Sequence, residues 1–129
     1  MEKKRILVVD DEVNITGMIK TRLEYAGEYE VMTLSDAKDI ISRVRSFKPD
    51  CILLDLLMPE IGGIEVCQML NNDPLGITIP IIVISALDKN VDKIKAYKLG
   101  VVDYLTKPFE AKALLYAVEK ALKSRQQKL

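Results

Sequence analysis

Three short runs, RILVV (Arg5–Val9), CILLDL (Cys51–Leu56) and IIVIS (Ile81–Ser85), are almost unbroken Val, Ile and Leu. A strand with one wet face alternates apolar and polar residues. A strand that is apolar at nearly every position is buried on both faces, as in a parallel sheet covered by helices on either side. Two weaker runs, YEVMTL (Tyr29–Leu34) and DYLT (Asp103–Thr106), complete a set of five, and YEVMTL reads as an edge strand.

The segments between the runs carry helical spacing. Val13–Tyr25 places Ile15, Met18, Ile19 and Leu23 near one face, and Gly27 follows as a stop signal. Ala37–Phe47 places Ile40, Ile41 and Val44 together, with Asp36 positioned to cap it. Ile64–Leu70 and Val91–Leu99 follow, the latter ended by Gly100, and Glu110–Lys128 carries Leu114, Leu115, Val118, Ala121 and Leu122. Five βα units of this kind predict an α/β fold. The expected form is a doubly wound, flavodoxin-like sheet of five parallel strands in the order 2-1-3-4-5, flanked by five helices.

A chain of 129 residues fits one domain and buries a core without disulfides. Residues 1–129 are read as that domain, with 122–129, including the polar tail KSRQQKL, open between a helix extension and the start of a linker. Cys51 and Cys67 form no CxxC pair or disulfide framework, and both read as buried thiols. The 19 basic and 19 acidic residues cancel, so no global positive field favours direct binding of nucleic acid. No apolar run is long enough for a bilayer and no signal peptide opens the chain, which predicts a cytoplasmic location and no membrane association. The chain has no histidine, which excludes histidine triads, histidine general bases and histidine metal ligands.

Ligands of doubly wound sheets bind outside the carboxyl ends of the strands, where the strand order reverses. Asp10 and Asp11 follow the first strand, Asp55 ends the third, Ser85 ends the fourth and Lys107 follows the fifth. The first and third strands are predicted neighbours, so three carboxylates converge. Such carboxylates raise one another's pKa unless a cation neutralises them, and an oxygen-only site of this kind suits Mg²⁺. A hard cation, a lysine and a hydroxyl together suit a phosphoryl group, which one of the acids could accept as an acyl phosphate. Glu12 is read apart from them, as an acid in the first turn of the first helix.

With VVDDE (Val8–Glu12), LLDLLMP (Leu53–Pro59), VISA (Val83–Ala86) and DYLTKPF (Asp103–Phe109) in these positions, the whole chain resembles the receiver domain of bacterial two-component response regulators. The resemblance implies that Asp55 is the phosphoacceptor. It implies that Asp10, Asp11, Asp55 and the backbone carbonyl of Leu57 hold Mg²⁺, with Mn²⁺ a possible substitute. Lys107 then contacts the phosphoryl oxygens, Ser85 is the switch hydroxyl, Tyr104 the switch aromatic, and Lys107–Pro108 a cis peptide. The implied partners are a histidine kinase or phosphotransfer protein, an effector domain or downstream protein, and, on phosphorylation, a second copy of the chain. The implied output face is the fourth helix, fifth strand and fifth helix, roughly 89–120. The implied chemistry is self-phosphorylation and self-dephosphorylation only, in a stand-alone receiver or part of a longer regulator.

The chain departs from the family's usual pattern at Gly62–Gly63, where a lost helix cap and a looser loop are expected, and at Val101–Val102, which are bulkier than usual. Leu57 and Leu87 flank the site and are apolar, so neither can orient an attacking water, which predicts slow self-dephosphorylation. Three other classes are weaker. A phosphohydrolase of the haloacid dehalogenase type wants an acid at Leu57. A nucleotide or flavin module wants a glycine-rich loop after the first strand. A phosphorylation-independent interaction domain does not need the full acid set.

Overall fold

The computed structural model describes the backbone of residues 2–128 and the side chains of residues 2–125. The elements are β1 (Lys4–Val9), α1 (Val13–Tyr25), β2 (Tyr29–Leu34), α2 (Ile40–Phe47), β3 (Cys51–Leu54), α3 (Gly63–Asn71), a 3-10 turn (Gly76–Thr78), β4 (Ile81–Ser85), α4 (Asn90–Lys98), β5 (Asp103–Thr106) and α5 (Ala111–Lys128). All four strand pairings are parallel, in the order β2-β1-β3-β4-β5. YEVMTL is an edge strand, as its weaker apolar character predicts.

The unbroken apolar runs follow from the two-residue period of a strand. Leu7, Val9, Ile52, Leu54, Ile81 and Val83 pack on one face with Ile40 and Val44 of α2, Val66, Cys67 and Leu70 of α3, and Ala96 of α4. Ile6, Val8, Cys51, Leu53, Ile82 and Ile84 pack on the other with Ile19 and Leu23 of α1 and Leu114, Val118 and Ala121 of α5. Each fully buried Ile or Leu contributes about 1.5–3 kcal/mol relative to exposure, so neither face can accept a polar residue cheaply. Cys51 is fully buried in the second of these layers, and burial pushes its thiol up to about 12.

Two helices end where glycine allows a left-handed backbone, Gly27 at φ 84° after α1 and Gly100 at φ 90° after α4. The α2 boundary differs from the sequence expectation. Asp36 accepts the Lys38 N–H at 3.0 Å, a local turn that competes with helix, and α2 starts only at Ile40 behind Asp39. Asp36 is therefore a turn residue and not the cap. The α5 helix runs through most of the polar tail to Lys128, and Leu129 lies outside the described residues. Arg125 fastens it to the sheet, donating to Asp50 at 2.7 Å, while the other Asp50 oxygen accepts the Arg5 N–H at 2.8 Å. No helix among the described residues is long and apolar enough to cross a membrane.

Candidate functional site

The sheet's hydrogen bonds continue beyond the strands and set the site residues in place. The Asp10 N–H donates to the Leu34 carbonyl at 3.1 Å, and the Asp55 N–H to the Val9 carbonyl at 3.0 Å. The Lys107 N–H donates to the Ser85 carbonyl at 2.8 Å. Asp10, Asp55 and Ser85 are buried, whereas Asp11 is exposed. One carboxylate oxygen from each of Asp10, Asp11 and Asp55 lies within 4.8 Å of the others. The convergence expected from the strand order is present.

Lys107 stands over this cluster. Its Nζ lies 2.7 Å from Asp10 Oδ2, 2.9 Å from Glu12 Oε1 and 3.3 Å from Asp55 Oδ2. Burial works against the ammonium, but the close contacts with Asp10 and Glu12 and the charge on Asp55 outweigh it and hold Lys107 above its ordinary value. Burial pushes the Asp55 carboxyl up, and the charge on Asp10 adds to this, while the Leu57 N–H, donating to Asp55 Oδ1 at 3.1 Å, and Lys107 oppose it. Asp10 Oδ1 accepts the Glu12 N–H at 2.9 Å. Asp10 Oδ2 is buried and takes no aligned hydrogen bond, in spite of the nearby ammonium. A buried anionic oxygen with a vacant lone pair, beside two further carboxylates, fits a hard divalent cation.

The placement of Glu12 corrects the sequence expectation. It is not in the first turn of α1 but is the residue before it, with extended backbone and no side-chain cap. Its carboxylate turns to Lys107, which lies 95 residues away in the chain. No spacing rule reveals such a contact.

The loop after β3 is also tighter than the glycine pair suggests. The cap of α3 is absent, since Gly62 has no side chain to supply it. Gly63, however, donates its N–H to the Leu56 carbonyl at 3.1 Å, and a Cβ there would sit 2.6 Å from Leu56 Cα. Gly63 thus lets α3 press against the backbone that carries Asp55.

On the far side of the site, Leu87 holds two residues. Its N–H donates to Ser85 Oγ at 3.2 Å, and its carbonyl accepts the Tyr104 hydroxyl at 2.6 Å. Burial pushes the Tyr104 phenol up, which keeps it protonated as a donor. The ring packs against the layer formed by α2, α3 and α4, with Lys93 Nζ of α4 5.7 Å from its centroid. The Lys107–Pro108 peptide is cis.

The model of the response regulator receiver domain family matches residues 6–119. The chain belongs to that family. It is 39% identical over 120 residues to the alkaline phosphatase synthesis transcriptional regulatory protein PhoP of Bacillus subtilis, covering 93% of this chain and 49% of that one. It is 37% identical over 119 residues to the DNA-binding dual master transcriptional regulator RpaA of Synechocystis, covering 92% and 49%. The receiver domain of the Francisella response regulator 1452 superposes with a TM-score of 0.85 at 34% identity, covering 95% of this chain and 98% of that one. The chain spans about half the length of the curated relatives it matches. Receiver domains are signalling modules that generally bind Mg²⁺ at an acidic pocket, and this chain carries an Asp10–Asp11–Asp55 cluster.

Proposed function

We propose that this receiver domain is a phosphorylation-dependent switch that accepts a phosphoryl group on Asp55. The observation that carries the reading is Asp55 itself: a buried carboxylate, 3.3 Å from the Lys107 ammonium and grouped with two further acids. An Asp55 oxygen attacks the phosphorus of a phosphohistidine on a partner kinase or phosphotransfer protein. The P–N bond breaks with its electron pair returning to the imidazole, and a P–O bond forms to give an acyl phosphate. Lys107 balances the charge on the phosphoryl oxygens. Asp10, Asp11, Asp55 and the Leu57 carbonyl would hold Mg²⁺, or Mn²⁺ in its place. When bound, the ion supplies positive charge to the same oxygens.

The new phosphoryl oxygens draw the Ser85 hydroxyl as a donor, which ends its acceptance of the Leu87 N–H. Tyr104 hangs on the same residue, so the change at Ser85 reaches β5 and α4 through Leu87. The readout is the face of α4, β5 and α5, where Val91, Ile94, Tyr97 and Tyr116 are exposed. That face takes an effector domain, a downstream protein or a second copy of the chain. The names of the two curated relatives support a transcriptional output, reached through an effector and not by direct contact of this domain with DNA. Its setting in the cytoplasm belongs to the same reading.

The test is incubation with acetyl phosphate and Mg²⁺ followed by intact-mass measurement. One added phosphoryl group is expected, absent in Asp55→Asn and after chelation. Labelling that survives Asp55→Asn overturns the assignment.

A further inference from the structure

An ammonium has three N–H donors, and the Lys107 ammonium lies near three carboxylates, with hydrogen bonds aligned on Glu12 and Asp55, and Asp10 held as an ion pair. Asp55 is the farthest of them at 3.3 Å, against 2.7 Å to Asp10 and 2.9 Å to Glu12. Asp10 is fully buried and fixed, whereas the Glu12 side chain is 59% exposed and lies on the loop between β1 and α1. Phosphoryl oxygens on Asp55 would be further acceptors for the same three donors, whose two shorter contacts are already taken by Asp10 and Glu12.

We infer that Glu12 is a positioning residue acting through Lys107: its carboxylate competes with Asp55 for the ammonium and holds it toward the β1–α1 loop. The inference rests on the receiver reading and deepens it. Glu12 then sets how much of Lys107 is available to an incoming phosphoryl group. The pull is modest, because an ion pair with one exposed partner is screened by solvent.

Beryllofluoride, which mimics a phosphoryl group, is the probe, titrated with Mg²⁺ into wild type, Glu12→Gln, Lys107→Ala and the double variant. Glu12→Gln keeps the shape of the side chain and removes its charge. It tightens beryllofluoride binding about twofold to fivefold, the range of an exposed ion pair. In the Lys107→Ala background the same substitution changes nothing. An equal gain in both backgrounds overturns the inference, because it shows plain repulsion of the anion by Glu12. A metal-free crystal structure of Glu12→Gln gives a readout that needs no ligand: Lys107 Nζ closer to Asp55 Oδ2 than 3.3 Å. An unmoved Lys107 overturns the inference as well. Absence of any beryllofluoride binding by wild type sinks the receiver reading itself, and the competition with it.

Discussion

Tyr104 on β5 donates its hydroxyl to the backbone carbonyl of Leu87, in the loop between β4 and α4, at 2.6 Å. The ring is therefore fixed at both ends, by packing against the sheet and by this bond. Since Leu87 also holds Ser85, this one backbone residue ties the Ser85 hydroxyl to the Tyr104 ring on the edge strand β5.

Removing the hydroxyl in Tyr104→Phe is expected to lower stability by about 0.5–1.5 kcal/mol, the net worth of one hydrogen bond. Urea denaturation measures it. Phosphorylation of Asp55 by acetyl phosphate should stay within about twofold, because the hydroxyl serves transmission and not the transfer itself. A variant as stable as wild type would show that the bond contributes nothing.

The two glycines before α3 should behave in opposite ways. Gly63→Ala forces a Cβ against the backbone of Leu56, and a loss of about 1–3 kcal/mol is expected from this overpacking. Gly62→Ser places a cap at the start of α3 with Glu65 three residues on, and φ of −77° suits any residue. A gain of about 0.5–1 kcal/mol is expected. Thermal melts of the two variants read both signs at once.

The lifetime of the phosphoryl group depends on what can hold a water beside it. Leu57 is 51% exposed and Leu87 only partly buried, and both side chains are apolar. Phosphate is expected to be lost slowly, and the Leu57→Asn/Leu87→Glu double variant should lose it on the order of tenfold faster, below the usual gain from a positioned base. Decay of the phosphorylated protein after removal of the phosphodonor gives both rates. Equal rates would remove these leucines from the account.

Asp73 supplies a dependence on pH away from the site. It accepts the Gly76 N–H at 2.8 Å, the Leu75 N–H at 3.2 Å and the Arg45 guanidinium at 2.7 Å. The Gly76 N–H foremost, and then Arg45, hold its carboxyl below the usual range. A folded value below the unfolded one, about 3.9, stabilises the fold above that pH, and the stabilisation is lost as pH falls through the folded value. Wild type should therefore exceed Asp73→Asn in urea stability at pH 7, and the gap should close below about pH 4. A gap that does not change with pH would mean that the carboxylate charge is irrelevant.

The readable and unreadable parts of this chain divide on physical grounds. The sheet was legible because Ile6–Val9 and Ile81–Ile84 are apolar at successive positions, which only two buried faces explain. Asp10, Asp55, Ser85 and Lys107 were legible as neighbours because strand order and strand ends bring them together, whatever the side chains then do. The start of α2 was not legible, because Asp36 makes a local turn as readily as it caps. Nor was Glu12, whose partner depends on the reach of two flexible side chains from separate loops. Gly63 reads from sequence as slack, and only the approach of Leu56 shows it to be a point of close contact.

The two apolar layers of the sheet have a consequence for motion. Tyr104 faces the layer of α2, α3 and α4, and its neighbour Leu105 faces the layer of α1 and α5. The strands are the only wall between them. Under the proposed switch, a rearrangement on the Tyr104 side would reach α4 directly, while the layer packed with α1 would keep the loop after β1 where the chemistry needs it. Under that reading, the fold would be a still frame with one movable panel.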